Sequence, residues 1–426
     1  MSSGSTGKRV TFSDVLRVRE FRLLWLADSQ SAIGDQIARV ALSILVFERT
    51  NSAILTALTY ALTFLPALIS GALLSGLADR LPRRRVLIAC DLIRGALFAL
   101  MAMPGVPIWL LCTILVLAVM AESPFTAAES SLIPAILRDE DSYLVGTALR
   151  TITNQVAQLA GFAGGGVAIA LIGARAGLLL DAITFGISAL AIWLGVQVRP
   201  IPEPEPDGQH PAGFGGRSFM AGMRLIFGSP KLRTLLGLAW LAGLYVVPEG
   251  VAPPYARALG HGVTAVGFLM AAMPAGTALG TYLFVRLVPA GSRSAWMGPL
   301  GAAAGVPLLC CWWLPNLGIS LVLWAASGLF FSYQVQVVTE FVRTVPDNQR
   351  GQAVGIASSG LLAVQGIGLL LGGVVAGTWG VRWSVSAAGL VGLLLALWLS
   401  VTWSRANRAT RTTPLVTSGG QHRRKR

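Results

Sequence analysis

Three ionisable residues, Asp28, Asp35 and Arg39, interrupt one long apolar run near the start of the chain. A charged side chain at mid-bilayer costs at least about 2.5–3.5 kcal/mol, so such residues face a protein interior or a water-filled cavity. Asp28 and Asp35 are seven apart and share a helix face, while Asp35 and Arg39, four apart, are placed to pair. At about 1.5 Å per residue, Asp35 lies roughly 21 Å along the helix from Phe21, near the membrane centre. Burial favours a protonated carboxyl and a neighbouring guanidinium an ionised one. Asp35 is therefore the leading candidate for protonation coupled to movement of a substrate, and a permanent Asp35–Arg39 ion pair that only fixes packing is the alternative.

Other polar residues inside apolar runs fall into groups. Glu122, shortly before Pro124, has no basic residue within one turn and is a candidate for a proton or substrate role. Asp91 and Arg94, three apart, suit a local structural ion pair. Glu129 and Arg150, nearer the cytoplasmic mouth of the bundle, suit solvation or pairing between helices rather than transport chemistry. Asn154, Gln155 and Gln158 form one polar patch, and Gln334 with Gln336 another. Each patch either lines a cavity or makes helix-to-helix hydrogen bonds. Glu249, beside Pro248, sits near the opposite end of its run, where it either meets a cationic group or reaches interfacial water.

The remaining chemistry-bearing residues exclude other functions. His210, His261 and His422 all fall in loops or the tail, so any intramembrane proton relay must use carboxylates. Cys90, Cys112, Cys310 and Cys311 lie inside apolar runs without metal-site spacing and read as packing residues. The sequence holds no intramembrane Ser-His-Asp set, no zinc motif and no phosphate-binding Gly-Lys-Ser/Thr loop. An enzyme or an ATP-driven pump is disfavoured, and no cofactor or metal is expected.

The elements that must position these residues are membrane helices. Of 426 residues, 54% are hydrophobic and 12% charged, against about a quarter charged in soluble domains. Apolar runs of the length a bilayer requires occur near 21–48, 52–77, 86–103, 106–128, 144–172 and 176–197, then 231–256, 263–286, 295–314, 317–339, 351–378 and 382–403. The expected fold is an all-α integral membrane protein of twelve transmembrane helices in two six-helix pseudo-repeats. Residues 1–20 precede the first half (21–198), a Pro- and Gly-rich linker follows (199–230), and the second half (231–403) ends in a basic tail (404–426).

Most of the 33 Lys and Arg lie on one side of these spans; the other side holds Arg49, Arg175, Arg257 and Arg382. The positive-inside rule then puts both termini in the cytoplasm. The net charge of +14 is dispersed between spans rather than gathered on one soluble face, which argues against nucleic acid as a partner. An internal repeat supports two halves. Gly161, Gly165-Gly166-Val167, Gly173 and Arg175 recur 207 residues later as Gly368, Gly372-Gly373-Val374, Gly380 and Arg382, and repeated halves are a recurrent transporter architecture.

Between the second and third spans the chain reads Gly76-Leu77-Ala78-Asp79-Arg80-Leu81-Pro82-Arg83-Arg84-Arg85. This resembles the signature loop of the major facilitator superfamily, with Pro82 where Gly is commoner. Phe21-Arg22-Leu23-Leu24-Trp25 with Ile33-Gly34-Asp35, Asp91-Leu92-Ile93-Arg94, and Leu180-Asp181-Ala182-Ile183-Thr184-Phe185 are similar to the branch that includes enterobactin exporters and macrolide-efflux proteins. The resemblance implies the major facilitator fold and a cytoplasmic gate at Gly76, Asp79, Arg80, Arg83 and Arg84. The second-half counterpart, Val285 to Pro289, has no Asp, and the Gly161–Gly166 stretch lacks the Pro of the usual antiporter motif.

The function this implies is secondary active export of small hydrophobic or amphipathic molecules by alternating access, with proton antiport. Proton-coupled uptake and a transport-inactive sensor or scaffold are the alternatives. Expected partners are a small-molecule substrate, protons and the lipid bilayer of a bacterial cell membrane, with the chain acting as a monomer.

Overall fold

The structure, a computed structural model, describes residues 10–74, 81–199, 216–313, 316–346 and 349–412. Gly76, Asp79 and Arg80 of the expected gate, His210, His422, half of the expected linker and most of the expected tail lie outside these. Every regular element among the described residues is a helix. In the first half these are α1 (Phe12–Arg17), α2 (Arg19–Thr50), α3 (Ala53–Ala61), α4 (Leu65–Leu74), α5 (Arg83–Met101), α6 (Ile108–Ile136), α7 (Glu140–Ile172) and α8 (Ala174–Gly195). A short helix, α9 (Gly216–Gly228), occupies the end of the expected linker.

The second half contains α10 (Pro230–Trp240), α11 (Ala242–Tyr245), α12 (Val247–Gly250), α13 (Ala252–Ala258) and α14 (Val263–Leu287). It continues through α15 (Arg293–Cys310), α16 (Leu317–Phe331), α17 (Tyr333–Thr344), α18 (Arg350–Thr378) and α19 (Val381–Thr412).

Among the described residues, eight helical segments are long and apolar enough to cross a bilayer, and a ninth joins them if Pro230–Gly250 and Ala252–Ala258, bent by 49°, count as one. The others of the expected twelve correspond to α2, α5 and α15, which pack in the same bundle. α2 and α5 carry the charged residues singled out above, so strict apolarity is missing where chemistry is expected. Two runs that look continuous in sequence are broken. The seventh divides at Leu241, Val246 and Val251, with prolines in the first turns of α10, α12 and α13, where a missing N–H costs least. The second divides around Leu62–Phe64.

Helix starts follow local capping chemistry. The side chains of Ser52, Asp139, Ser229 and Asn316 each accept a backbone N–H of the helix they precede, which satisfies a donor that would otherwise be orphaned.

The sequence repeat reappears as repeated contacts. Gly161 of α7 faces α2 at Ile33 and Gln36, and its counterpart Gly368 of α18 faces Gly243 of α11. Gly166 abuts Gly267 of α14, and its counterpart Gly373 abuts Ala57 of α3. In both cases the first glycine packs inside its own half and the second packs across to the other. Gly173 and Gly380, also equivalent, have φ of 84° and 101°, a left-handed conformation that only glycine adopts without strain. They turn the chain between α7 and α8 and between α18 and α19.

The halves meet chiefly along α7 with α14 and α18 with α3. At the end of the bundle that carries Asn51, a single hydrophobic core runs through both halves, from Ala38–Val46 of α2 to Leu269–Met273 of α14. Two cross-half hydrogen bonds reinforce it: Tyr60 Oη donates to Glu249 Oε2 at 2.7 Å, and Arg257 donates to Asn51. Toward the opposite end, which carries Arg83, the first half has a separate core around Phe21, Leu87, Phe125 and Leu132, drawn from that half alone. The bundle is therefore sealed at the Asn51 end.

Candidate functional site: a charged cavity in the first half

α2, α5, α6 and α7 bring their ionisable residues to one cavity of about 340 Å³, within the size range of small-molecule sites. Asp28, Ser31, Asp35, Gln36 and Arg39 line it from α2, Arg94 from α5, Glu122, Phe125, Thr126 and Glu129 from α6, and Arg150, Asn154, Gln155 and Gln158 from α7. The expected face shared by Asp28 and Asp35 is present, and the Asn154–Gln158 patch lines the cavity. A smaller cavity of about 30 Å³ lies at its deep end, walled by Asp35, Arg39, Thr63, Arg94 and Glu122.

The pairing inside the site differs from the local pairs expected from spacing. Asp35 Oδ1 pairs with Arg94 at 2.9 Å, not with Arg39, whose guanidinium lies over the Phe64 ring at 5.8 Å. Arg94 is likewise not the ion-pair partner of Asp91. Asp91 Oδ2 instead accepts the Ser188 hydroxyl of α8 at 2.6 Å. Residues three apart on a helix are rotated about 60° from each other, so neighbouring helices can separate them. Arg94 reaches past Phe185, 4.2 Å from its ring centroid, to α2, whereas Asp91 turns to α8.

A second ionic cluster lies nearer the Arg83 end. Arg150 bridges Glu129 at 2.5 Å and Asp28 at 3.2 Å, so Glu129 and Arg150 do pair between helices. Glu122 differs from all of these: no hydrogen bond or ion pair links its carboxylate to another described residue, although it lies within electrostatic reach of Arg94. It is the carboxylate of the cavity wall left free to meet a ligand.

Other expected site residues have different placements. Gln334 donates to the Ala239 carbonyl at 2.9 Å, beside the break that follows α10. Neither it nor half-buried Gln336 lines this cavity, and Gln334 serves helix contact. Arg83 donates to the Ser131 carbonyl at 2.9 Å and Arg84 to the Trp193 carbonyl, both within the first half. Glu249 is buried at 8% exposure, accepts the Tyr60 hydroxyl and lies within electrostatic reach of Arg39.

Sequence reasoning passed over Asp181 as a chemical group. It lies on α8 with 0% exposure, inside an apolar run with no basic residue within a turn. The cost argument applied to Asp35 and Glu122 flags it equally.

The chain belongs to the Major Facilitator Superfamily, whose family model matches residues 24–249 and 249–423. It is 28% identical over 396 residues to the multidrug efflux pump Tap of Mycobacterium tuberculosis, covering 89% of this chain and 90% of that protein. It is 26% identical over 426 residues to the enterobactin exporter EntS of Escherichia coli, covering 94% and 95%. A shorter match, 25% over 125 residues and 28% of this chain, is to macrolide efflux protein A of Streptococcus pyogenes, of which it covers 31%.

Among solved structures, the fold matches a bacterial homolog of the human lysosomal transporter Spinster, in an inward-facing and occupied conformation, with a TM-score of 0.70 and 16% identity. That match covers 91% of this chain and 96% of the other. It also matches the nucleoside transporter NupG, with a TM-score of 0.68 and 14% identity over 91% and 99%.

Proposed function

We propose that the protein is a secondary active exporter that moves amphipathic small molecules outward while protons move in. The observation that carries this reading is the charged cavity beside a sealed Asn51 end, in which half-buried Asp35 pairs with buried Arg94, an ion pair that a proton can dissolve. The efflux relatives support the outward direction of transport. The cavity is a poor place for a purely apolar cargo, because its wall offers amides, hydroxyls and an unpaired carboxylate.

Cavity charge narrows the cargo further. Four carboxylates, Asp28, Asp35, Glu122 and Glu129, and three guanidiniums, Arg39, Arg94 and Arg150, line the cavity together with Phe125. With all of them ionised its wall is negative, and Glu122 is the carboxylate outside the ion pairs. A cation held by a desolvated carboxylate and an aromatic face gains from both, so the favoured substrate carries a protonated amine on an apolar body. Glu122→Gln is expected to raise the KM for cationic substrates about tenfold, the worth of about 1.4 kcal/mol, and to leave neutral substrates nearly unchanged. Parallel transport assays with a charged probe and its neutral isostere check this, and equal effects on both count against the assignment.

In this reading the Arg83 end faces the cytoplasm, as do both termini, and the structure is the cytoplasm-open form. Asp79 and Arg80, with Arg83 and Arg84, form the gate that closes that end. Reporter fusions at residues 205 and 426 are expected to signal cytoplasm at both positions. An external signal at either reverses the topology and with it the direction of transport.

A further inference from the structure

Arg94 stands between two sets of carboxyl groups, and only one faces the cavity. On the cavity side are Asp35, its ion-pair partner, and Glu122. Away from it, Asp181 of α8 and Asp91 of α5 are buried at 0% and 1% exposure and line neither cavity. Asp181 Oδ1 accepts the Thr184 hydroxyl at 3.0 Å, and its Oδ2 has no hydrogen-bond partner. Asp91 similarly keeps Oδ1 unpartnered, as Arg94 keeps Nε.

Asp181 also sits directly behind Asp35. The residue before Asp35 is Gly34, and a Cβ there would overlap Asp181 Oδ1 and the Thr184 side chain. The backbone of α2 thus gives up a side chain so that this carboxyl can lie against it. The charged groups that act on Asp181 from the packed elements are Asp35 and Arg39 of α2 and Arg94 of α5. Asp91 is occupied with Ser188.

We propose that Asp181 is a second, dry proton-holding carboxyl of the transport cycle, and that Arg94 alternates between Asp35 and Asp181. In the arrangement seen here, Arg94 pairs with ionised Asp35 and the proton resides on Asp181. In the alternate arrangement the proton has passed to an Asp35 oxygen and the guanidinium has moved to the Asp181 carboxylate. One O–H bond breaks at Asp181 and one forms at Asp35, while the positive charge of Arg94 shifts the opposite way. The dry site therefore keeps its net charge throughout, and the burial cost that forbids a lone ion in the membrane is avoided. When Asp35 is protonated, Arg94 withdraws from the cavity wall and reshapes the site the substrate occupies.

This inference rests on the proton-driven export reading, and the test separates the two. Wild type, Asp35→Asn and Asp181→Asn are reconstituted in liposomes, with a cationic dye as cargo. Asp181→Asn is expected to lose pH-gradient-driven accumulation to background while still binding the dye, and to exchange it downhill at a rate that no longer varies with pH. Infrared difference spectra after a pH jump are expected to show a protonated-carboxyl stretch in wild type that is missing in Asp181→Asn.

Thr184→Val keeps Asp181 and removes its hydroxyl partner. It is expected to displace the pH profile of exchange, and it decides the matter if Asp181→Asn fails to insert. Wild-type accumulation and pH profile in Asp181→Asn, or an unmoved profile in Thr184→Val, would show that Asp181 only packs α8 against α2. If wild type itself fails to accumulate dye, the export reading fails first and this proposal falls with it. If Asp35→Asn accumulates it normally, the alternation of Arg94 between Asp35 and Asp181 is overturned while export through another carboxylate stands.

Discussion

Asp35→Asn is expected to reach the membrane in normal amount and to lose pH-gradient-driven accumulation of cargo in inside-out vesicles down to the level of vesicles without the protein. An amide fills nearly the same volume as the carboxyl and still accepts a hydrogen bond from Arg94, so the packing of α2 survives. What it cannot do is take up and release a proton. Downhill exchange of cargo across the same vesicles is expected to persist, because it requires the cavity and alternating access but no coupling. Removing the negative charge also takes away the ion-pair partner of Arg94, whose guanidinium is then faced by Glu122, Asp181 and Asp91. Some loss of thermal stability should therefore accompany the loss of coupling. Accumulation with wild-type pH dependence would make Asp35 structural and pass the coupling role to Glu122 or Asp28.

Gly267→Leu is expected to shift the balance between the two end-open forms. Gly267 on α14 and Gly166 on α7 press backbone to backbone across the two halves at the Asn51 end, and a Cβ at residue 267 would overlap Gly166 and the Phe162 carbonyl. Overfilling a close-packed contact costs about 1–3 kcal/mol, which moves a two-state equilibrium by roughly 5- to 150-fold. The wedge acts at the closed end, so it favours the form in which the Asn51 end is open and the Arg83 end shut. Gly267→Ala should show the same shift to a smaller degree.

Spin-label distances measured across each end are the check: the Asn51-end distance should lengthen and the Arg83-end distance shorten. Unchanged distances with wild-type transport would mean that the α7–α14 contact yields without moving the halves. The hydrogen bonds from Tyr60 to Glu249 and from Arg257 to Asn51 cross the same seam, so they must break in the same motion.

Much of the architecture is legible in the sequence because a membrane imposes strong patterning. Apolar runs, Pro and Gly breaks and the sidedness of arginine place the spans, and the 207-residue glycine repeat corresponds to real contacts: Gly166 on Gly267 and Gly373 on Ala57. The break at Val251 is legible too, since Pro253 and Pro254 cannot continue a helix from the preceding turn. Pairing inside the site is far less so. Spacing on one helix proposes Asp35 with Arg39 and Asp91 with Arg94. The pair that forms joins Asp35 to Arg94, 59 residues apart on α2 and α5, because Arg94 has a stem long enough to pass Phe185.

The pairing of Glu129 with Arg150 is legible from their shared depth, but Asp28 as its third member is hidden, because the cluster draws on three helices. Gln334 misleads in the other direction. Its polarity resembles that of Gln155, yet it satisfies carbonyls freed where α10 ends, a demand created by a helix break rather than by a ligand. Asp181 was visible by the cost of burying a lone carboxyl, and only its position behind Gly34 explains what that cost accompanies.

The central claim is that substrate leaves as protons enter, and the most direct measurement is proton movement driven by substrate. Inside-out vesicles carrying the wild-type protein are given an acidic lumen, reported by a pH-sensitive dye, and amphipathic cations are then added one at a time. Proton antiport predicts that a transported cation causes lumenal protons to leave, so the pH gradient partly collapses at a rate that saturates with cation concentration and is absent in Asp35→Asn vesicles. A cation that accumulates in the lumen without any proton release, or accumulates equally well after the gradient is dissipated, would contradict the account.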